Sequence, residues 1–188
     1  MRPFLVIVCG PSGGGKSSVA GPLSEHLGFP LISKDELKEV LFDSLGWGDR
    51  ERSRQLSNAA YDLMFHLAGR HLEAGLSCIL EANFRPEAAV RLAALGQITP
   101  FNTVTVRCHA DRDVLRERLT RRAEERLRHP GHLDAALLAE VETLIEGGSP
   151  PLGGPVVEVD TTDPAGVEVE GIARRVRDLI NQEQKKGP

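Results

Sequence analysis

An eight-residue segment near the N-terminus, residues 10–17, has the spacing of a loop that binds phosphate groups. It reads Gly-Pro-Ser-Gly-Gly-Gly-Lys-Ser and matches the pattern G-x-x-x-x-G-K-[ST]. Glycines allow backbone N–H groups to turn inward toward an anion, where larger side chains would obstruct them. A triphosphate requires many such donors directed at one small volume. The segment therefore predicts a site for the phosphates of a nucleoside triphosphate.

Side chains of the loop and the start of the next helix complete this predicted site. Lys16 is predicted to bridge the β- and γ-phosphates, and the Ser17 hydroxyl is predicted to bind Mg²⁺. The N-terminus of the helix adds partial positive charge. The residues expected to contact the nucleotide here are Gly10, Ser12, Gly13, Gly14, Gly15, Lys16, Ser17 and Ser18.

A run of arginines in the second half of the chain is a further candidate for phosphate chemistry. Residues 107–128 contain eight arginines and five acidic residues, although the whole chain has a formal net charge of −4. Arg118, Arg122 and Arg126 are spaced by four residues, which places them on one face of a helix. The segment is therefore a local basic patch that the total charge conceals.

Strand and helix signals alternate along the chain. Phe4–Cys9 is a continuous apolar run, which is typical of a strand buried on both faces of a parallel sheet. Four more strands are predicted at Leu31–Ser33, Ser77–Ala82, Thr103–Cys108 and Val156–Val159. Helices are predicted at Lys16–Leu27, Ser33–Ser44, Glu51–Ala74, Pro86–Leu95, Asp111–Arg126, Leu133–Ile145 and Val167–Gln182. Ser33 and Glu36 have the spacing of a capping box at the start of the second helix.

This alternation favours an α/β fold, with a five-stranded parallel sheet covered on both faces by helices. The length of 188 residues is that of one domain, and we expect residues 1–188 to form it. In such a sheet, ligands bind in the crevice at the carboxyl ends of the strands. The phosphate loop follows the first strand and is therefore expected at that edge.

Composition argues against several other classes of protein. Hydrophobic residues make up 40% and charged residues 27%, and no apolar run is long enough to span a membrane. We therefore expect a cytoplasmic protein with no membrane partner. Cys9, Cys78 and Cys108 fall in predicted strands without zinc or redox spacing, so reduced core residues are expected. The negative net charge does not support a large nucleic-acid surface.

A phosphate loop alone indicates a ligand and not a reaction. Guanine specificity would require an N-K-x-D segment late in the chain, and the sequence has none. The D-x-x-G matches at 43–46 and 163–166 do not follow the third predicted strand, where a GTPase switch would lie. A GTPase is therefore not favoured.

The order of these features resembles the small P-loop kinases that phosphorylate hydroxyl groups. That group includes polynucleotide 5′-hydroxyl kinases, gluconate and shikimate kinases, and chloramphenicol phosphotransferase, and the resemblance spans nearly the whole chain. Its members place an acid just after the second strand, and Ile32-Ser33-Lys34-Asp35 matches that placement. The resemblance implies that Asp35 accepts the proton of the attacking hydroxyl, a role that suits a carboxylate near the γ-phosphate. It also implies that Lys38 contacts the substrate.

The resemblance extends to the end of the third predicted strand, where related kinases usually carry Asp. Here the chain has Glu81 instead, which is predicted to bind Mg²⁺ directly or through water. Asn83 and Arg85 follow it and are candidate contacts for the phosphate acceptor.

In the kinases that this chain resembles, arginines on a mobile helical lid close over the phosphates. The resemblance places the lid at about residues 116–133. It implies that Arg118 and Arg122 neutralise charge in the transition state and that Arg126 contacts the substrate. Thr161, after the last strand, is a candidate contact for the nucleotide.

The sequence therefore predicts an ATP- and Mg²⁺-dependent phosphotransferase that acts on a hydroxyl group. The expected acceptor is a small molecule, and a nucleic-acid 5′ end is a second possibility. Its pocket is expected among residues 33–54 and 83–91. The alternative is a nucleotide-binding ATPase or switch module that has no phosphoryl acceptor.

Overall fold

The computed structural model describes residues 2–146 and 150–185, and its centre is a sheet of five parallel strands. The strands lie in the spatial order β2-β3-β1-β4-β5. Their bounds are Phe4–Cys9 (β1), Leu31–Ser33 (β2), Cys78–Glu81 (β3), Asn102–His109 (β4) and Val156–Asp160 (β5). All four pairings between neighbouring strands are parallel, so the carboxyl ends of the strands meet at one edge of the sheet.

Helices connect the strands and cover both faces of the sheet. Their bounds are Lys16–Leu27 (α1), Lys34–Leu45 (α2), Arg50–Glu73 (α3), Glu87–Ile98 (α4), Arg112–Glu124 (α5), Asp134–Leu137 (α6), Val141–Glu146 (α7) and Val169–Lys185 (α8). Short 3₁₀ turns lie at Pro130–His132, Leu138–Glu140 and Pro164–Gly166. The predicted α/β class with a parallel five-stranded sheet is confirmed.

The apolar run of β1 explains why the sheet has helices on both sides. Successive side chains of a strand point to opposite faces. Phe4, Val6 and Val8 pack in a core with α1 and α8, whereas Leu5 and Ile7 pack in a second core with α3 and α4. Every residue of β1 is buried, which is why its sequence shows no polar alternation.

The segment after α5 differs most from its prediction. The expected helix at 133–145 is divided into α6, a 3₁₀ turn and α7, and none of their residues is buried. Because none of its side chains is buried, this helical segment gains little from tertiary packing. Of the residues that the structure describes, no helix combines the length and apolar character needed to cross a membrane.

Substitutions on α3 test the second core. Met64 is fully buried on α3, whereas its neighbour Leu63 is 40% exposed. We expect Met64→Ala to lower the free energy of unfolding by about 2–5 kcal/mol, because it leaves a cavity. Leu63→Ala should cost less than about 1 kcal/mol. Urea denaturation measures both, and equal losses would contradict this packing.

Candidate functional site

The phosphate loop, residues 10–15, connects the carboxyl end of β1 to the N-terminus of α1. Gly10, Gly13 and Gly15 have φ angles of 144°, 79° and 71°, in the region that L side chains rarely adopt. A Cβ atom at Gly10 would lie 2.1 Å from the carbonyl oxygen of Cys108 on β4. The loop therefore depends on glycine for its backbone conformation and for its close approach to β4.

Lys16, the first residue of α1, folds back over this loop. Its Nζ donates a hydrogen bond of 2.7 Å to the carbonyl oxygen of Pro11. Burial lowers the pKa of Lys16, and the negative charges of Glu81 and Asp35 oppose that shift. The ammonium group therefore lies in the field of the two carboxylates that the sequence predicts for the site.

A cavity of about 440 Å³ brings most of the predicted residues together. The phosphate loop and the start of α1 form one wall of it. Asp35, Glu81, Arg118, Arg122 and Thr161 line the rest, together with apolar residues. The lining residues are Gly13, Gly14, Gly15, Lys16, Ser17, Ser18, Val19, Asp35, Glu81, Arg118, Arg121, Arg122, Leu127, Thr161, Pro164, Val167 and Val169.

Glu81 lies at the base of this cavity and is paired with Ser33. The parallel register places the two residues side by side on β3 and β2. Both are buried, and the Ser33 hydroxyl donates a hydrogen bond of 2.9 Å to Glu81 Oε2. Burial raises the pKa of Glu81, while the charge of Lys16 and the bond from Ser33 oppose the rise. The longer side chain of Glu thus reaches the neighbouring strand.

The same bond corrects the capping-box prediction for α2. Ser33 is the N-cap residue of α2, but its side chain makes no capping hydrogen bond. A buried carboxylate without a donor costs more free energy than an uncapped backbone N–H at a helix end. The hydroxyl therefore bonds to Glu81.

The donors at this end of the cavity fit a hard cation. A hydroxyl from Ser17 and a carboxylate from Glu81 are the oxygen ligands that Mg²⁺ accepts, and Mg²⁺ usually completes its shell with phosphate and water. Across residues 2–146 and 150–185, no three His, Cys, Asp or Glu side chains group as a metal site.

Asp35, in the first turn of α2, is held between two cations. Its Oδ1 accepts from Lys34 Nζ at 2.6 Å, and its Oδ2 accepts from Arg128 Nη2 at 2.5 Å. Burial acts to raise the pKa of Asp35, but the charges of Lys34 and Arg128 outweigh it and hold the pKa far below its ordinary value. The side chain remains 44% exposed. Asp35 is thus an ionised carboxylate that faces the cavity.

Two arginines of α5 reach the cavity wall and bond to the protein there. Arg118 donates to the carbonyl oxygens of Gly13 and Thr161, at 3.1 and 2.6 Å. It therefore ties the phosphate loop to the segment after β5. Arg122 forms an ion pair with Asp134 in which the closest atoms, Nε and Oδ2, are 2.9 Å apart.

Lys38 lies outside the cavity lining. Its Nζ donates a hydrogen bond of 3.0 Å to Ser53 Oγ and lies 5.0 Å from the centroid of the Phe42 ring. The side chain is buried, and burial lowers its pKa to about 8, aided by the like charges of Lys34, Arg128 and Arg85. The substrate contact assigned to Lys38 stays a prediction.

The turn at residues 129–132 packs against Phe42 of α2. His129 stacks on the Phe42 ring with centroids 4.9 Å apart, and His132 meets the same ring edge-on. A Cβ atom at Gly131 would lie 2.8 Å from that ring, so the contact requires glycine. His132 Nε2 lies 2.9 Å from Glu39 Oε1, and burial lowers the pKa of His132 to about 3. His132 is therefore neutral near pH 7.

Asn83 and Arg85, after β3, lie beside a second cavity. The carbonyl oxygen of Asn83 accepts a hydrogen bond from the Tyr61 hydroxyl. Arg85 Nη1 donates to Asn58 Oδ1 at 3.0 Å. Both residues are exposed, and neither lines the cavity of the phosphate loop.

Comparison with known proteins identifies the family of this chain. The sequence model of the AAA_33 family, described as an AAA domain, matches residues 5–146. The chain belongs to the AAA_33 family. No curated protein matches the sequence significantly.

Solved structures similar to this AAA_33 protein include kinases. A "putative kinase" from Chloroflexus aurantiacus J-10-fl is 41% identical, with a TM-score of 0.89, over 95% of this chain and 99% of that one. The APS kinase CysC of Mycobacterium tuberculosis, in complex with AMPPNP and APS, is 19% identical (TM-score 0.59, 96% of this chain and 98% of that one). A gluconokinase from Sinorhizobium meliloti 1021 is 20% identical (TM-score 0.53, 98% and 95%). The AAA_33 protein therefore has the fold of the small P-loop kinases.

Arg128 is the main residue of the AAA_33 site that sequence reasoning did not select. A helix continued to Arg126 would place Arg118, Arg122 and Arg126 on one face. Instead α5 ends at Glu124, and Arg126 has a φ angle of 52° and is exposed. The chain then turns back, so that Arg128 contacts Asp35, His132 and, at 3.7 Å, Asp134. Only its membership of the arginine-rich segment could have indicated it.

Replacing Arg128 should change the titration of Asp35. In Arg128→Gln we expect the pKa of Asp35 to rise toward its ordinary value, because a cation is lost from Oδ2. We also expect a loss of about 0.5–1 kcal/mol in the free energy of unfolding at pH 7, since the carboxylate is partly exposed. A carboxylate whose pKa is lowered in the folded state stabilises the fold at pH values above its pKa in the unfolded state. This stabilisation is lost as the pH falls, so the difference in the free energy of unfolding between the variant and the wild type should shrink in acid.

NMR titration of the Asp35 carboxyl carbon, with urea denaturation at several pH values, measures both effects. Arg126→Gln is the matched control, because its exposed side chain is two residues away and should leave Asp35 unchanged. An unaltered Asp35 pKa in Arg128→Gln would show that the ion pair does not control this carboxylate.

Proposed function

We propose that this protein is a kinase that transfers the γ-phosphoryl group of ATP, with Mg²⁺, to a hydroxyl group. The acceptor is a small molecule or a nucleic-acid 5′ end. The observation that carries the proposal is that the ionised carboxylate of Asp35 lines the same cavity of about 440 Å³ as the phosphate loop. A module that only bound nucleotide would not need an ionised carboxylate at this position.

The nucleotide would lie along the loop, with its base at the apolar end of the cavity. Backbone N–H groups of residues 13–18 and the N-terminus of α1 would bind the phosphates. Lys16 would exchange the carbonyl oxygen of Pro11 for phosphate oxygens, which are better partners for its charge. The apolar lining of Leu127, Pro164, Val167 and Val169 suits the faces of a purine.

Ser17 and Glu81 would hold Mg²⁺, which neutralises charge on the phosphates when it is bound. The buried hydrogen bond from Ser33 would keep the Glu81 carboxylate directed along β3. Lys16 and Glu81 influence each other electrostatically. When a polyphosphate binds, its negative charge would share the ammonium group of Lys16 with the Glu81 carboxylate.

Asp35 would act mainly by orienting the acceptor hydroxyl for in-line attack. The acceptor oxygen forms a bond to the γ-phosphorus, the bond from that phosphorus to the bridging oxygen of ADP breaks, and the hydroxyl proton leaves through Asp35 to water. A carboxylate with a strongly lowered pKa is a weak base, but phosphoryl transfer depends chiefly on positioning and charge stabilisation. Because Lys34 and Arg128 already donate hydrogen bonds to the Asp35 carboxylate, the acceptor hydroxyl would bind the same carboxylate beside them.

The segment 116–133 would serve as the lid. Arg118 and Arg122 line the cavity and would stabilise charge on the transferred phosphoryl group. For Arg122 this requires release from Asp134, its partner in the ion pair. Arg118 is already joined to the phosphate loop through the Gly13 carbonyl.

Replacing Asp35 should separate transfer from binding. In Asp35→Asn we expect the rate of phosphoryl transfer to fall by about 10²–10⁴-fold, with ATP affinity nearly unchanged. The reason is that the uncharged amide cannot accept the proton of the acceptor hydroxyl and binds that hydroxyl less strongly than a carboxylate does. Transfer from labelled ATP to a panel of alcohols, nucleosides, antibiotics and 5′-hydroxyl oligonucleotides measures the effect. Glu36→Gln, an exposed acid next along α2, should keep full activity.

The panel also tests the alternative of an ATPase or switch module. If no acceptor is labelled, and slow ATP hydrolysis is the same in Asp35→Asn as in the wild type, the kinase proposal is wrong. A nucleotide-dependent conformational change would then be the activity to pursue.

A further inference from the structure

A second cavity, of about 350 Å³, lies between α3 and the start of α4. Asn58, Tyr61 and Phe65 line it from α3, and Arg85 and Arg91 line it from the other side, with Asp62, Glu87 and Ala88 completing the wall. Its residues between 85 and 91 fall within segment 83–91, where the sequence predicts part of the acceptor pocket, and its residues on α3 lie beyond the other predicted segment, 33–54. The first cavity accounts for the nucleotide and Asp35, and it shares no lining residue with the second.

Tyr61 connects this cavity to the reacting carboxylate. Lys34 Nζ, which is 2.6 Å from Asp35 Oδ1, lies 5.7 Å from the centroid of the Tyr61 ring. The guanidinium carbon of Arg85 lies 5.4 Å from the same centroid. One aromatic ring therefore lies close to a cation bound to Asp35 and to a cation of the second cavity.

The ring is fixed in place, as a binding surface requires. Its hydroxyl donates to the carbonyl oxygen of Asn83, and burial raises the pKa of Tyr61, so the hydroxyl stays protonated. The ring of Phe65, one turn along α3, lies nearly parallel to it, with an interplanar angle of 19° and centroids 6.5 Å apart. Such a surface costs little conformational entropy when a ligand binds.

Arg85 is the cation that this cavity offers to a ligand. Arg91 is neutralised by Asp62 at 2.6 Å. Among the described residues, no carboxylate lies within ion-pair distance of Arg85, whose hydrogen bond goes to the neutral side chain of Asn58. Glu87 also lines the cavity, in the first turn of α4, where the helix dipole stabilises its negative charge, and this charge opposes an anionic ligand.

Three cations act on the buried ammonium of Lys38. The charges of Lys34, Arg128 and Arg85 lower the pKa of Lys38, and the charge of Asp35 opposes them. A positive field of this kind favours a negatively charged ligand over a neutral one.

Resting on the proposed kinase function, we propose that the acceptor is an anionic alcohol, whose carboxylate or phosphate binds Arg85 in the second cavity while its hydroxyl lies at Asp35. The fork of a guanidinium matches the oxygens of either anion. The aromatic ring of Tyr61 supports the atoms between the two ends.

Matched sets of acceptors test this inference. Each set holds a neutral alcohol and its charged counterparts: an aldose with the corresponding aldonate and sugar phosphate, and a nucleoside with its 3′-monophosphate. We expect kcat/KM for a charged member to exceed that for its neutral counterpart by about 10–100-fold. Comparison of the aldonate with the sugar phosphate then distinguishes a carboxylate from a phosphate.

Variants of Arg85 locate the effect. Arg85→Gln should lower kcat/KM for the charged acceptor by about 10–100-fold, mainly through KM, and leave the neutral acceptor unchanged. Arg85→Lys should restore part of the loss. Arg70→Gln, an exposed arginine on α3 that pairs with Glu73, is the control and should behave as the wild type.

The possible results distinguish a failure of this inference from a failure of the proposed kinase function. Phosphorylation of neutral alcohols at equal or higher efficiency would overturn the anionic acceptor and leave the kinase intact. So would an equal loss for both members of a set in Arg85→Gln, which would indicate a structural role. If no acceptor is labelled and Asp35→Asn does not alter hydrolysis, the kinase proposal fails and this inference fails with it.

Discussion

The structure depends on charged side chains that are partly removed from water at the carboxyl edge of the sheet, because each of them needs a partner nearby. Burial acts against the charged forms of Lys16 and Glu81, and each relieves the other. A buried charge without a partner would cost several kcal/mol. The Ser33 hydroxyl, the carbonyl of Pro11 and the carboxylate of Asp35 therefore have to be in place, and the ends of β1, β2 and β3 fix where they lie.

The arginines of the proposed lid, residues 116–133, are likewise paired with oxygen atoms of the protein. Arg118 is bonded to backbone carbonyls of the loop and of Thr161, Arg122 to Asp134, and Arg128 to Asp35. Each of these partners would be exchanged for phosphate or acceptor groups when substrates bind. Only interactions that are stronger in the transition state than with the bound substrates raise the rate, whereas those present beforehand hold the site in shape. The turn at 129–132, packed on Phe42, would give the proposed lid a fixed end.

Membership of the AAA_33 family and the fold of the small P-loop kinases leave the acceptor open. On the proposed function, the phosphate loop and the residues lining its cavity would account for nucleotide binding and transfer, which are common to many kinases on this fold. Specificity would then come from elsewhere, and the cavity beside Tyr61 and Arg85 is the proposed place. Because α3 forms its wall and also packs on the sheet through Met64 and Leu72, this proposed acceptor region is built on a rigid element.

The sequence by itself determined the local features. The apolar run of β1, the glycine spacing of the loop and the alternation of strands and helices each follow from short-range rules, and they predicted the parallel sheet and the position of Lys16 and Ser17. Asp35 and Glu81 could be selected because they follow strands whose ends must meet at one edge. Only the tertiary structure decided the partners of these groups. Ser33 bonds to Glu81 because strand pairing places them side by side, 48 positions apart in sequence. Arg128 reaches Asp35, and Arg126 does not, because α5 ends at Glu124 and the chain reverses there. Helical periodicity holds no information about where a helix stops in space or about the distant carboxylate that its last arginines will meet.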